Sequence, residues 1–413
     1  MGKKSIIRLI KRAVKLPYVY TKESLADMNA AKYIKKNLEK KIGKKVKVGF
    51  IVQMPAVWDK EVDVYNEMKK RDNIETFLLV VPPYDFANKK FNFSYENNYF
   101  IENYPEAIKA IEPSGKVIDI KKLGLDYIFF QRPYDHYLPP ELSSIELVKD
   151  IKCCYIPYGY SGSDVFNPGN TDPIFFRNMS YVFVESDYIK YVFEEKYRKK
   201  RMYKYQHIKS LGYPDLEQFF DESEVGMVKK IMWTPRWSYD KKLGGSHFFE
   251  YKDDIFKIKE ENPDIELVFR PHPLMFEQFI NQGLMTADEE EAFKSKIREA
   301  SIKYDSDSMI SNAIHENDLL ITDYSSIIIN FFLTGKPIIY CKANYDLNDD
   351  YSRMAEGIYV AENSEQLSQY VKMLINGKDP LKEKRAEIIS EYKKKHVGSA
   401  KRIVDCLTAA KNK

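Results

Sequence analysis

From Val46 onward, short apolar runs alternate with charged, helix-patterned stretches: KVGFIVQ, WDKEVDVYNEMKKRD and TFLLVVPP, then DYIFFQRP, CCYIPYGY and SYVFVESD. A strand buried on both faces reads as an unbroken apolar run. Such runs separated by helical patterns build a parallel sheet with covering helices. The alternation stops at a charged stretch near 220–230 and starts again with KKIMWTPRW, a helical pattern near 250–261, IELVFRPHP, NDLLITDYSS, a helix through FFLTG, and KPIIYC. The expectation is an α/β chain of two Rossmann-like domains, 46–220 and 221–413, behind a separate N-terminal segment, 1–45.

Open parallel sheets bind ligands beyond the carboxyl ends of their strands, so the residues after each apolar run are the candidates for chemistry. After LLIT come Asp323, Tyr324, Ser325 and Ser326. The stretch reads as strand, turn and helix, with Ser325 or Ser326 as N-cap; free N–H groups at a helix start and two hydroxyls suit a phosphate. Asp323 would repel that phosphate, so it reads as turn support, holding the turn's own backbone N–H groups. After IELVF come Arg270 and His272, the imidazole held between Pro271 and Pro273; arginine pairs bidentately with phosphate and histidine donates to it. After KKIMW come Thr234 and Arg236, then Gly244-Gly245-Ser246-His247, where the glycines allow close backbone approach and Ser246 is placed to cap the next helix. Taken singly, each is ordinary capping or a structural histidine. Taken together, three cation-bearing strand ends point to a diphosphate. Asp305-Ser306-Asp307 has the two carboxylates of a metal-dependent transferase but precedes a helical stretch, so it reads as a helix cap, and neither metal nor cofactor is expected.

Charge is unevenly spread. Residues 1–47 hold fifteen Lys and Arg against three Asp and Glu, so a chain of net charge +4 carries +12 there and −8 in the remainder. In KKSIIRLIKRAVKLPYVY, apolar Ile6, Ile7, Leu9, Ile10 and Val14 interleave with cations at helical spacing. This is the pattern of a helix lying on an anionic membrane surface; its plain alternative is a solvated helix packed on its own protein. A basic leader on an acidic body argues against a nucleic-acid binder. Four cysteines without metal or disulfide spacing, no apolar stretch of membrane-spanning length and no signal-peptide pattern give the expectation of a cytoplasmic chain, peripheral on the inner face of the cell membrane.

The second half resembles the CDP-glycerol glycerophosphotransferase family, which builds wall teichoic acids and related capsular polyol phosphates. The resemblance rests on TPRW (234–237), RPHP (270–273), DLLITDYSS (318–326), GKPIIY (335–340) and GSAKRIVDCL (398–407), in that order. It implies a GT-B-like fold, two Rossmann-like domains facing a central cleft. It also implies transfer of a polyol phosphate from CDP-glycerol or a relative to a hydroxyl of a lipid-linked or growing glycan, with release of CMP. Arg270, His272, Ser325 and Ser326 carry over as donor-phosphate residues, with Arg236, Ser246 and Asp323 beside them.

The first half departs from the family pattern. Its usual His-Gly-Thr segment is replaced by Pro157-Tyr158-Gly159, which leaves three candidates for the base that takes the acceptor proton. His136 follows the strand DYIFF, Asp59 lies at what reads as a helix start, and Tyr158 stands on the variant segment but is a weak base at an ordinary phenol pKa. SLGYPDLE (210–217) matches the family segment closing the N-terminal domain and marks the hinge. Two other functions fit the same residues: a GT-B glycosyltransferase using a nucleotide sugar, and a non-catalytic scaffold binding nucleotide or glycan.

Overall fold

A computed structural model of the protein describes residues 3–85, 88–93, 96–161, 173–220, 226–239, 245–307, 310–342 and 349–409. The chain divides into two compact units, Met1–Tyr158 with Pro168–Tyr213 and Ser399–Lys413, and Gly159–Asn167 with Pro214–Gly398. The division runs between Tyr213 and Pro214, inside the GYP segment. It differs from a single cut near 220 in two further respects: Gly159–Asn167 belongs with the second unit, and the last helix, Ser399–Ala409, belongs with the first.

The first unit is built on β1 (Val46–Val52), β2 (Ile74–Val80), a hairpin of β3 (Tyr84–Asp85) and β4 (Lys90–Phe91), then β5 (Ile108–Lys109), β6 (Tyr127–Phe130), β7 (Lys152–Tyr155), β8 (Tyr181–Phe183) and β9 (His207–Lys209). The main sheet has the order β5-β2-β1-β6-β7-β8-β9, parallel throughout. Strand order reverses between β1 and β6, the point where a doubly wound sheet opens a crevice. Both faces are covered, which is why the strands read as apolar runs rather than alternating ones. On one face Phe50 stacks on Phe129 with ring centroids 4.8 Å apart, and Trp58 and Tyr65 meet Phe50 edge-on. The last helix lies on this unit through the Tyr127 hydroxyl, which donates to Leu407 O at 3.0 Å, and an Arg71–Asp405 ion pair at 2.7 Å.

The basic leader is one helix, Lys3–Glu39. Its second half packs on its own unit: Ala30, Ala31 and Ile34 join the core of the opposite sheet face. Asn37 Nδ2 donates to Val148 O at 2.6 Å and Ile151 O at 3.0 Å, and buried Asp27 pairs with Arg177 at 2.6 Å. These contacts fix residues 27–37 and leave the function of the more basic first half to be argued separately.

The second unit repeats the plan with β10 (Lys230–Thr234), β11 (Glu266–Phe269), β12 (Lys303–Tyr304), β13 (Leu319–Thr322), β14 (Ile338–Cys341) and β15 (Tyr359–Ala361), in the order β12-β11-β10-β13-β14-β15, again all parallel. Its switch point lies between β10 and β13. Arg385, fully buried, ties its far side together by donating to Gly335 O and Gly357 O and pairing with Asp379.

One buried acid in the first unit has no hydrogen-bond partner. Glu61 is 1% exposed, and neither carboxyl oxygen accepts a bond. Burial pushes its pKa from 4.5 up to about 8. The folded carboxyl therefore holds its proton where an unfolded one has lost it. The stability present below about pH 4.5 drains away as pH rises toward 8 and is fully lost above it. Glu61→Gln should flatten this decline, measured as the urea midpoint between pH 5 and 9.

Candidate functional site

In the second unit, the carboxyl ends of β10 and β13 are joined by side chains rather than by the ladder alone. Thr234 and Thr322 are register partners; the Thr234 hydroxyl donates to Thr322 Oγ1 at 3.0 Å, and Thr322 donates back to Thr234 O at 2.9 Å. Next along the chain, Asp323 is 2% exposed. Its Oδ1 accepts the Arg236 N–H at 2.7 Å and its Oδ2 the His247 N–H at 3.0 Å. Asp323 thus fastens the loop after β10 and the start of the helix Phe248–Glu261 to the end of β13. The sequence suggested that it holds its own turn; the structure has it holding two other segments. Burial raises its pKa to about 7, against the opposing pull of the His247 and Arg236 N–H groups and the Arg236 charge.

The fastening sets out a row of side chains. Arg236, 7% exposed, lies with its guanidinium carbon 5.0 Å from the Tyr324 ring centroid and 5.8 Å from that of Trp237, and donates Nη1 to Tyr324 O at 3.2 Å. Trp237 in turn stands 5.9 Å from the His272 ring. His272 Nδ1 accepts the Leu274 N–H at 3.1 Å, so the neutral ring carries its proton on Nε2 and offers it as a donor. Partial desolvation and the Arg236 charge both lower the His272 pKa. Of these two causes, only the Arg236 charge also favours an anion there.

The remaining donor-side candidates have more local duties. Arg270 pairs through Nη1 with Asp305 at 2.6 Å and donates Nη2 to Asp307 O at 2.6 Å. The fork expected for phosphate is therefore engaged by its own loop. Asp305 correspondingly serves as the partner of Arg270, and its Oδ1 accepts the Asp307 N–H; residues 308–309, between this segment and the helix at Ile310, lie outside the described residues. Ser246 is buried, and its Oγ accepts the Phe248 N–H at 3.2 Å, but the N-cap position of the helix falls on His247 and has no side-chain cap bond, so Ser246 stands one residue before the place expected of it. Gly245 takes φ +57°, the left-handed conformation that suits glycine; Gly244 lies outside the described residues. Ser325 Oγ receives the Ile327 N–H at 3.4 Å. Ser326 occupies the N-cap position with helical angles and no side-chain cap bond, so its exposed hydroxyl faces solvent rather than the backbone. The helix it starts, Ile327–Leu333, is seven residues long, so side chains outweigh its dipole in this site.

The first unit closes its own switch point in a parallel way. Gln131, just past β6, accepts the N–H groups of Gln53 and Met54, both at 2.8 Å, and donates Nε2 to Met54 O at 2.8 Å. Arg132 donates to Gln53 Oε1 at 3.0 Å and covers Tyr137. His136 is exposed on this loop, its ring 5.7 Å from that of Tyr134. The Tyr134 hydroxyl is 3.0 Å from that of Tyr158, which is 41% exposed. Burial and the Tyr158 hydrogen bond raise the Tyr134 pKa. His136, Tyr134 and Tyr158 are thereby brought into one aromatic row. The neighbouring Asp135 is occupied: it accepts from both the N–H and the hydroxyl of Ser144 at 2.6 Å. Asp59 lies elsewhere than expected, at the end of the short helix Pro55–Trp58 rather than at the start of one. The next helix, Val62–Lys69, begins after Glu61. Among contributors to the raised Tyr99 pKa, burial leads and the Asp59 charge takes part. Gln131, Tyr134 and Trp237 carry no role in the sequence reading, although each stands just past a strand, and Tyr324 is placed there without one.

The profile of the family described as CDP-Glycerol:Poly(glycerophosphate) glycerophosphotransferase matches residues 167–407. A teichoic acid poly(glycerol phosphate) polymerase of Staphylococcus epidermidis is 23% identical over 340 residues, covering 73% of this chain and 45% of that protein. The chain thus spans about half the length of the curated relative it matches. Among solved structures, a UDP-GlcNAc 2-epimerase of Neisseria meningitidis bound to UDP-GlcNAc superposes with TM-score 0.56 at 11% identity, over 88% of this chain and all of that one. A putative UDP-N-acetylglucosamine 2-epimerase of Listeria monocytogenes gives 0.55 at 13%, over 88% and 96%. At such identities the likeness shows the fold alone, and that fold is GT-B-like.

The Asp323 fastening has a measurable cost of removal. Asp323→Ala leaves two N–H groups without their acceptor and should lower stability by about 2–4 kcal/mol. Asp323→Asn, which keeps one acceptor oxygen, should lose roughly half as much. Chemical denaturation of both variants at pH 6 checks this ordering.

Proposed function

The chain belongs to the CDP-glycerol:poly(glycerophosphate) glycerophosphotransferase family, and on that premise we propose that it moves a polyol phosphate, glycerol phosphate foremost, from a CDP-activated donor to a hydroxyl of a lipid-linked or growing cell-surface glycan, releasing CMP. The observation that carries this reading is the row Tyr324, Arg236, Trp237 and His272 beside the Asp323 fastening. It offers a fixed positive field and an Nε2–H donor at the switch point of a Rossmann-like unit.

In this reading the acceptor hydroxyl oxygen attacks the β-phosphorus. The bond from that phosphorus to the bridging oxygen breaks, and CMP leaves with the electron pair. Negative charge grows on the phosphoryl oxygens and on CMP. A charge held in place before the reaction stabilises that growth without reorganising. Arg236 supplies the field, while His272 Nε2–H and the Ser326 hydroxyl donate to the oxygens with Ser325 beside them. Asp323 positions Arg236 through its backbone N–H, and Arg270 and Ser246 stand beside these groups as further donor-side residues. On the acceptor side, His136 is assigned the base role. It is exposed just past β6, where an imidazole is open to an incoming hydroxyl. Tyr158, bonded to Tyr134, and Asp59, near Tyr99, are the alternatives. The +12 leader is assigned to the inner membrane surface, where a lipid-linked acceptor would be met. No described helix is long and apolar enough to cross a membrane.

With membranes as the acceptor source, CMP release from CDP-glycerol is expected, with CDP-ribitol and UDP-, GDP- and CMP-sugars as comparators. Nucleotide release from a sugar donor alone would favour the glycosyltransferase reading instead. His272→Ala should lower kcat about a hundredfold, and Ser326→Ala about tenfold, with unfolding midpoints little changed. Deleting residues 2–17 should release the protein from anionic lipid vesicles at low salt while leaving turnover of a soluble acceptor intact; unchanged sedimentation with vesicles would remove the leader from the account.

A further inference from the structure

The hairpin β3–β4 and the loop after β6 border an open cavity of about 620 Å³ in the first unit, lined in part by Tyr84, Lys89, Phe91, Ile111, His136 and Glu141. Tyr84 follows β2, Ile111 follows β5 and His136 follows β6, so the cavity sits where a doubly wound sheet presents its ligand, and its size suits a small molecule. A neighbouring cavity of about 850 Å³ shares Phe91, Ile111 and Gly115 with it and adds Asn88, Asn92 and Ser114 to the lining.

Three features describe what would fit. Tyr84 and Phe91 are register partners across the hairpin, half-buried, with ring centroids 5.1 Å apart at 72°, so two aromatic rings stand together at the wall. Lys89 adopts φ +50°, a left-handed conformation costly for a residue with a Cβ. It follows a turn in which the Asp85 carboxylate takes the Asn88 N–H at 3.0 Å and Nδ2 at 2.7 Å. Strain of this kind is retained where the backbone must present a side chain in one place. The charges also balance, with Lys89 against Glu141 in the first cavity and Lys90 against Asp85 in the second. A polyanion would meet both acids. A neutral polyhydroxylated ring would use both signs, since its hydroxyls donate to carboxylates and accept from ammonium and amide groups, while its apolar C–H face rests on the electron-rich face of an aromatic ring.

We infer that these joined cavities bind saccharide rings, stacked at Tyr84 and Phe91 and held by Lys89, Glu141 and the amide-lined extension. The further step, that this saccharide is the acceptor whose hydroxyl faces His136, rests on the transferase reading above; the saccharide site itself does not.

Saturation-transfer NMR on the full chain tests the site, with methyl β-D-glucopyranoside and its N-acetylglucosaminide as probes and sn-glycerol 3-phosphate as the anionic control. Transfer to the glycoside ring protons is expected, weakened about fivefold or more by Tyr84→Ala. The double variant Lys89→Gly/Glu141→Gln should weaken it similarly, and because glycine relieves the left-handed strain this variant keeps the fold. Glycoside signals undiminished in both variants, absent altogether, or replaced by signals from glycerol 3-phosphate would overturn the inference. Glycoside binding lost in both variants, in a protein that leaves CDP-glycerol untouched, would support the saccharide site while removing the donor reading. CDP-glycerol turnover with glycoside signals unaffected by both variants would do the reverse.

Discussion

Each unit of this chain closes its switch point with one buried side chain that takes two backbone N–H groups. In the second unit that side chain is Asp323, which receives Arg236 and His247; in the first it is Gln131, which receives Gln53 and Met54. The constraint comes from the parallel sheet. Where strand order reverses, neighbouring loops diverge and leave N–H groups that no ladder can satisfy. A side chain with a two-lobed acceptor, or an acceptor and a donor, meets that need and fixes the loops as it does so.

The two solutions differ in charge, and the difference separates what each unit suits. Gln131 is neutral and bonded to Gln53 and Met54, and a few residues on, Tyr134 meets His136 and Tyr158 in a polar and aromatic row that suits hydroxyls. Asp323 is an acid whose burial raises its pKa to about 7, offset in part first by the His247 and Arg236 N–H groups and then by the Arg236 charge. That arginine is held between aromatic rings, and its field extends to His272, whose pKa it lowers. A phosphate entering there exchanges hydration for a cation already desolvated and fixed.

The central strands were legible in the sequence because burial on both faces leaves an unmistakable apolar run, as in FIV, YIFF or LLIT. The edge strands β5, β9, β12 and β15 were not, since two or three residues such as Ile108–Lys109 carry no pattern. Positions of site residues were legible through the strand-end rule, but their partners were not. Nothing in RPHP announces that Arg270 will pair with Asp305, 35 residues later, or in TDYSS that the acid will reach back 87 residues to the Arg236 N–H. Those contacts are set by strand order, and strand order is a property of the sheet. The return of the last helix to the first unit was hidden for the same reason.

In the proposed transfer, a phosphate of the donor sits against His272 in the field of Arg236. The most direct measurement is a nitrogen-15 NMR titration of the His272 imidazole with and without CDP-glycerol. If the claim holds, free His272 titrates below the usual 6.5 of histidine as its Nε2–H tautomer; the donor then moves the Nε2 resonance and raises that pKa by supplying a negative charge. An imidazole whose pKa and Nε2 resonance are indifferent to saturating CDP-glycerol would contradict it.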